Sequence, residues 1–148
     1  MTLNEIENQL KKLNDEFDEI FEEVIPHISL NDMTLKEALQ SQLPMQLRME
    51  SLSKKANYLC DNAEVMVEDV YGKAVKSEMS DNYRSVGIAE ARLYANSNTE
   101  YKHAKRIHIQ ARRSRDEIKG CLEVIHSRKY TLHNLTSAIV SDSELKVL

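Results

Sequence analysis

Apolar side chains recur at alternating intervals of three and four residues along most of this chain. That periodicity restricts it to helices that bury a narrow stripe. In the first stretch the stripe is Ile6, Leu10, Leu13, Phe17, Ile20 and Val24; in the second it is Met49, Leu52, Ala56, Leu59, Ala63, Met66 and Val70. A third runs Tyr94, Ser97, Tyr101, Ala104, His108, Ala111, Arg115, Ile118, Leu122, Ile125, Lys129 and Leu132. Strands need tight turns, and three Gly and two Pro in 148 residues offer few places for them. With 30% charged residues, 5% aromatics and no Trp, the composition fits long helices better than a compact globule. The expectation is an all-α fold of long, heptad-patterned helices, arranged as a helical hairpin or coiled-coil bundle.

Local signals divide the chain into a single helical domain, 1–148, with three helices. Thr2 with Glu5, and Thr34 with Glu37, have the spacing of capping boxes. Pro26 is expected to end an acidic first helix at 2–25, because it cannot donate into the helical ladder and disfavours helix at Ile25. His27 to Met33 is read as a connector. The middle helix, 34–79, carries Pro44, where a kink or short break is expected. Met79 to Gly87 holds Ser80, Asp81, Asn82 and Ser85 and reads as the loop, with Tyr83 and Val86 placed to anchor it.

From Ile88 no proline interrupts the pattern, so one long helix is expected over 88–140, with 141–148 as a frayed, flexible tail. Its stretch to Tyr130 alone would be roughly 65 Å long at about 1.5 Å rise per residue. That exceeds the width of a globule of this size, so its stripe needs another long helix or another subunit. Ile118, Leu122, Ile125, Leu132 and Leu135 are therefore the candidate oligomerisation residues of a homo-oligomer. Polar residues at Ser97, His108, Arg115 and Lys129 interrupt this stripe, a device that sacrifices stability for register.

Several function classes are disfavoured. No run of about 18 apolar residues exists to span a membrane. The charged opening residues lack the apolar block of a secretory signal, and a cytoplasmic location is expected, in the host cell if the chain is viral. Cys60 and Cys121 each fall on an apolar stripe, as buried reduced thiols would. His103 and His108 are five apart and His126 and His133 seven apart, and neither spacing brings two ligands to one ion. Walker A, G-x-S-x-G and G-x-G-x-x-G motifs are all missing. No catalytic residue, no metal and no cofactor is assigned, and the protein is not expected to be an enzyme.

Charge is segregated along the chain. Residues 1–83 carry 8 basic and 17 acidic groups, whereas residues 84–130 carry 11 basic and 5 acidic groups. Lys102, Lys105, Arg106, Arg112, Arg113 and Lys119 form a basic ladder, several of them at spacings that share a helix face. Such a ladder matches a polyanion, and Tyr71, Tyr94, Tyr101 and Tyr130 would offer stacking surfaces to unpaired bases. Two readings stay open at this point. The ladder binds nucleic acid, or it pairs with acidic helices of the same chain or a second copy. A third has the acidic N-terminal half acting as a polyanion mimic.

Two short elements carry a resemblance. Tyr71-Gly72-Lys73-Ala74 with Lys76-Ser77-Glu78-Met79, and the run from Cys121 through Ser127-Arg128-Lys129-Tyr130 to Leu135, resemble the UvsY family of recombination mediators from T-even-like phages. The resemblance covers roughly residues 56–140. It implies a small helical, ring-forming protein that binds single-stranded DNA non-specifically. Such a protein helps load a RecA-like recombinase onto strands covered by single-strand-binding protein. It also implies a strand-contacting role for Tyr71, Gly72, Lys73 and Lys76, and an assembly role for the helix of Arg128, Lys129 and Tyr130. One departure matters: the family's helix before the Tyr-Gly element is basic, whereas this chain has Glu64, Glu68 and Asp69 there. That shifts the expected strand-contacting surface to 102–119. The alternative expectation is a phage structural or coiled-coil scaffold protein without nucleic-acid binding.

Overall fold

A computed structural model describes residues 1–30, 33–80 and 86–145, with the side chains of residues 144 and 145 left aside. The protein is all-α. Among the described residues there are four helices and no strand: α1 (Leu3–Ile28), α2 (Leu35–Ser80), α3 (Ile88–Ala95) and α4 (Thr99–Leu145). None of them is long and apolar enough to cross a membrane.

Both capping boxes form. The Thr2 amide donates to Glu5 Oε2 at 2.6 Å, and the Glu5 amide donates back to Thr2 Oγ1 at 3.3 Å. Thr34 and Glu37 repeat the pattern at 2.8 and 3.3 Å. These backbone bonds hold both carboxyls below the usual carboxylate range.

Pro26 does not end α1, and Pro44 does not break α2. α1 runs through Pro26 to Ile28, and α2 runs unbroken through Pro44. Each proline costs the one helical bond to the carbonyl four residues earlier. Those carbonyls belong to Glu22 and Gln40, both exposed residues, where solvent can stand in for the lost donor. The expected loop at 79–87 begins as α2 ends at Ser80, while residues 81–85, Tyr83 among them, lie outside the described residues.

The expected single helix over 88–140 is interrupted. Asn96, Ser97 and Asn98 separate α3 from α4, with Asn98 Oδ1 accepting the Tyr101 amide at 3.0 Å as an N-terminal cap. Ser97 Oγ donates to the Tyr94 carbonyl at 3.0 Å and helps close α3. Local side-chain bonds thus outweighed the continuing apolar period. At the other end α4 continues to Leu145, so 141–145 are helical rather than frayed; 146–148 lie outside the described residues.

The stripe of α1 is buried as read, joined by Leu3 and with Phe17 half-buried. That of α4 differs by one residue in alternate positions. The buried set is Ala104, Ile107, Ala111, Ser114, Ile118, Cys121, Ile125, Arg128 and Leu132. Ile107, Ser114, Cys121 and Arg128 replace the expected His108, Arg115, Leu122 and Lys129. The heptad of Ala104, Ala111, Ile118, Ile125 and Leu132 is common to both readings, and the row beside it depends on the side from which the neighbouring helix approaches.

The chain forms two compact units. The first comprises Met1–Asn14 and Lys55–Asp116, and the second Asp15–Lys54 and Glu117–Leu148. In the first, Leu3, Ile6, Leu10 and Leu13 of α1 bury with Ala56, Leu59, Ala63 and Val70 of α2, Ala91 and Ala95 of α3, and the alanines of α4. Glu7 faces His103 at 3.7 Å, Arg115 reaches Cys60 at 3.5 Å, and the Tyr71 and Tyr101 rings lie 4.9 Å apart. In the second, Ile20, Val24, Met45, Met49 and Leu52 bury with Ile118, Cys121, Ile125 and Leu132. There Glu23 pairs with Arg48, and His126 Nε2 sits 3.5 Å from Glu50. Within each unit, low numbers on α2 oppose high numbers on α4, so the two helices are antiparallel.

Candidate nucleic-acid interface

In the first unit, the buried row of α4 leaves the opposite side of the helix to solvent. Lys102, Arg106 and Arg113 follow one another at spacings of four and seven, and Lys105 and Arg112 stand seven apart beside them. All five are exposed, so the helix presents them as one broad basic face. Ile109, 49% exposed, sits in the middle of it. Lys119, also exposed, follows on the part of α4 that belongs to the second unit.

The electrostatic setting of these cations decides what they can do. Among the described residues, no carboxylate lies within ion-pair distance of Lys102, Lys105, Arg106, Arg112, Arg113 or Lys119. Lys105 Nζ lies over the Tyr101 ring, 5.4 Å from its centroid. Among the described residues, the charge contact of α1 with α4 in this unit is Glu7 with His103. Three other cations are paired: Arg48 with Glu23, Lys73 with Asp69 at 2.7 Å, and Arg115 with Asp116 at 2.9 Å. That bond to Asp116 is the main reason the Arg115 pKa is raised. Arg115 also feels the charge of Asp61 on α2, and the Cys60 thiol feels Arg112 as well as Arg115, Asp61 and Glu64. On the α4 stretch of the first unit the unpaired charge among the described residues is therefore that of Lys102, Lys105, Arg106 and Arg113, with Arg112 at the margin.

The Tyr71 element is arranged differently. Tyr71 is half-buried against Tyr101, so this pair is engaged with itself, and Lys73 is held by Asp69. Lys76 is exposed on the same helix. Of the tyrosines read as stacking surfaces, Tyr94 and Tyr130 are the exposed ones.

The candidate oligomerisation residues divide as well. Ile118, Ile125 and Leu132 are buried inside the chain's own second unit, Leu122 is half-buried and Leu135 is exposed. In that unit the hydrogen bond from α4 to α2 nearest the start of α2 at Leu35, among the described residues, is from Arg128 to the Ala38 carbonyl, and Leu132 beyond it is still buried. Beyond it, Leu135, Ile139 and Val140 are 45%, 55% and 49% exposed. Leu135 and Ile139 continue the buried α4 seam in register, as an uncovered extension of it.

The burial of one residue the sequence reading had named only with the C-terminal helix was not foreseen. Arg128, 5% exposed, is buried in the second unit among uncharged acceptors, with Nη1 donating to Gln42 Oε1 at 2.6 Å and to the Ala38 carbonyl at 3.1 Å. Nη2 donates to Ser41 Oγ at 3.1 Å, and Nε has no partner among the described residues. Burial lowers the pKa of its guanidinium. Ile107 and Cys121 were the available signal, because a seam drawn through them passes through Arg128.

Elsewhere in the second unit a shallow cleft is lined by Glu23, Val24, His27, Ser41, Pro44, Met45 and Arg48. Its walls are mainly apolar, and its two charged groups of opposite sign are already paired. Among the described residues no group of three His, Cys, Asp or Glu is placed to hold a metal ion. The chain matches no protein-family model, no curated protein and no solved structure.

Proposed function

We propose that this chain is a non-enzymatic, oligomeric accessory protein of phage DNA recombination that holds single-stranded DNA on the basic face of α4. Five exposed cations with no acidic partner among the described residues carry this reading. A long helix normally intersperses opposite charges on its solvent side, and α2 of this chain does so with Asp69 and Lys73. An unbroken cationic face retains a counterion atmosphere that a phosphate backbone can displace. A grip through cations on the phosphate backbone would be non-specific, since backbone contacts carry no base sequence. A role in loading a RecA-like recombinase in the presence of single-strand-binding protein follows from the resemblance of the Tyr71 and Arg128 elements.

Homo-oligomerisation is assigned to the uncovered seam at Leu135 and Ile139, which a second copy would cover as α2 covers the preceding turns. Leu39, Leu43 and Leu47, exposed at intervals of four on α2, favour a second reading as a scaffold protein that binds partners through apolar surfaces.

Fluorescence anisotropy with a labelled oligonucleotide tests the DNA reading. With about −0.7 in slope for each phosphate neutralised on a single strand, five cations predict a log–log salt slope of about −3.5. Replacing all five by Gln should abolish binding at low salt while helicity is retained. Salt-independent binding, or binding unchanged in this variant, would sink the proposal.

A further inference from the structure

The basic face has a counterpart of opposite sign. Residues 13–26 of α1 contain six acidic residues and no Lys or Arg, and residues 101–115 of α4 contain six Lys or Arg and no acid. Asp15, Asp18, Glu19 and Glu22 stand at spacings of three, four and seven, so they share the solvent side of α1, and all are exposed. Among the described residues none of these four is ion-paired.

Each run is self-repelling. Asp15 with Glu19, Asp18 with Glu22, and Lys102 with Arg106 are like-charge pairs at i,i+4, which destabilise an exposed helix. DNA would relieve the basic run alone, whereas a second copy of the chain relieves both. The acidic run is also short enough to lie along the basic one. The acidic run from 15 to 22 extends about 10 Å along its axis and the basic one from 102 to 113 about 16 Å. An exposed apolar residue adjoins each, Ile25 near the acidic run and Ile109 within the basic one.

We propose that the acidic face of α1 in one copy docks on the basic face of α4 in another, and that this contact competes with DNA for the same cations. The joined surfaces are different, so the contact is head-to-tail and propagates into a ring or a chain of copies. It is distinct from the apolar seam at Leu135. Its competition with DNA rests on the reading of α4 as the DNA-binding face. The acidic helix then acts as a polyanion mimic that covers the basic face until a nucleic acid displaces it.

Two full-length variants test the contact. One is acid-neutralised (Asp15→Asn, Asp18→Asn, Glu19→Gln, Glu22→Gln). The other is base-neutralised (Lys102→Gln, Lys105→Gln, Arg106→Gln, Arg112→Gln, Arg113→Gln). At low salt the base-neutralised chain, labelled, should bind the acid-neutralised chain at least about tenfold more tightly than either variant binds itself. The difference should vanish near 1 M salt, where screening acts within about 3 Å. An oligonucleotide should displace the mixed pair, and the acid-neutralised chain should bind DNA as tightly as the unmodified chain, or more so. Equal affinity in all three pairings, or a mixed pair indifferent to salt, overturns the contact. If the mixed pair fails while the unmodified chain binds DNA, the contact alone is wrong. If the mixed pair forms and the unmodified chain does not bind DNA, the contact stands and the DNA reading falls.

Discussion

Replacing Gln42 and Arg128 together, by Leu and Met, should stabilise the protein. The reasoning begins with a buried guanidinium that is 5% exposed and whose hydrogen-bond acceptors among the described residues are all uncharged. Removing a cation from water costs several kcal/mol after relaxation. Its bonds return about 1.5–3 kcal/mol for each well-formed charged contact. The Gln42 bond at 2.6 Å is the shortest, and Nε contributes none.

Gln42 itself is 7% exposed, and its amide nitrogen donates to the Ile125 carbonyl at 2.9 Å. Gln42→Leu alone removes the best acceptor from a buried cation and should cost about 2–4 kcal/mol. Arg128→Met alone leaves Gln42 Oε1 without its donor, a loss of about 1–3 kcal/mol that cancels much of the gain from deleting the charge. The double variant leaves neither orphan and should gain about 1–4 kcal/mol, as apolar replacement of buried charged groups often does. Arg128→Ala, by contrast, adds a cavity and should destabilise by about 2–5 kcal/mol.

Urea unfolding followed by circular dichroism at fixed protein concentration reads all four variants, and the double-mutant cycle isolates the Gln42–Arg128 coupling. A double variant less stable than the unmodified chain would refute the reasoning, because the buried charge would then be a net source of stability.

Acid should weaken both capping boxes. The Glu5 and Glu37 pKa values are lowered in the folded chain by the Thr2 and Thr34 amides. Their contribution is therefore present above the unfolded carboxylate pKa and is lost as pH falls through the folded one. The urea midpoint should drop between about pH 5 and pH 3, and a Glu5→Gln, Glu37→Gln chain should drop less over that window; an equal drop would count against the boxes as its source. Helix-interior residues with poor propensity offer a further check. A methyl group at Gly120 would meet nothing within 4 Å, so Gly120→Ala should stabilise by about 0.5–1 kcal/mol in a thermal melt. Pro44→Ala should restore the bond to the Gln40 carbonyl and raise stability by up to about 3 kcal/mol. A neutral or destabilising result at both sites would contradict their placement inside continuous helices.

The helices, both N-terminal caps and the stripe of α1 were legible in the sequence, because each depends on residues within about a turn of one another. The Thr2–Glu5 and Thr34–Glu37 boxes need no tertiary partner, and the spacing from Ile6 to Val24 admits one buried face. The break at Asn96–Asn98 was also local, but side-chain capping competed there with a continuing apolar period, and the period was the louder signal. The basic residues of α4 were visible as well, and their number alone favoured neither pairing nor binding.

The remainder required the neighbouring helices. In α4 the heptad from Ala104 to Leu132 tolerates a second row on either flank. The approach of α2 selected Ile107, Ser114, Cys121 and Arg128, placing a guanidinium in the core where Gln42, Ser41 and the Ala38 carbonyl accept its bonds. The same choice turned Lys102, Lys105, Arg106, Arg112 and Arg113 outward. Helical period and charge are properties of one strand of sequence. Which flank is buried, and which charges go unpaired, depends on contacts between residues as far apart as Gln42 and Arg128, and only the folded chain brings those together.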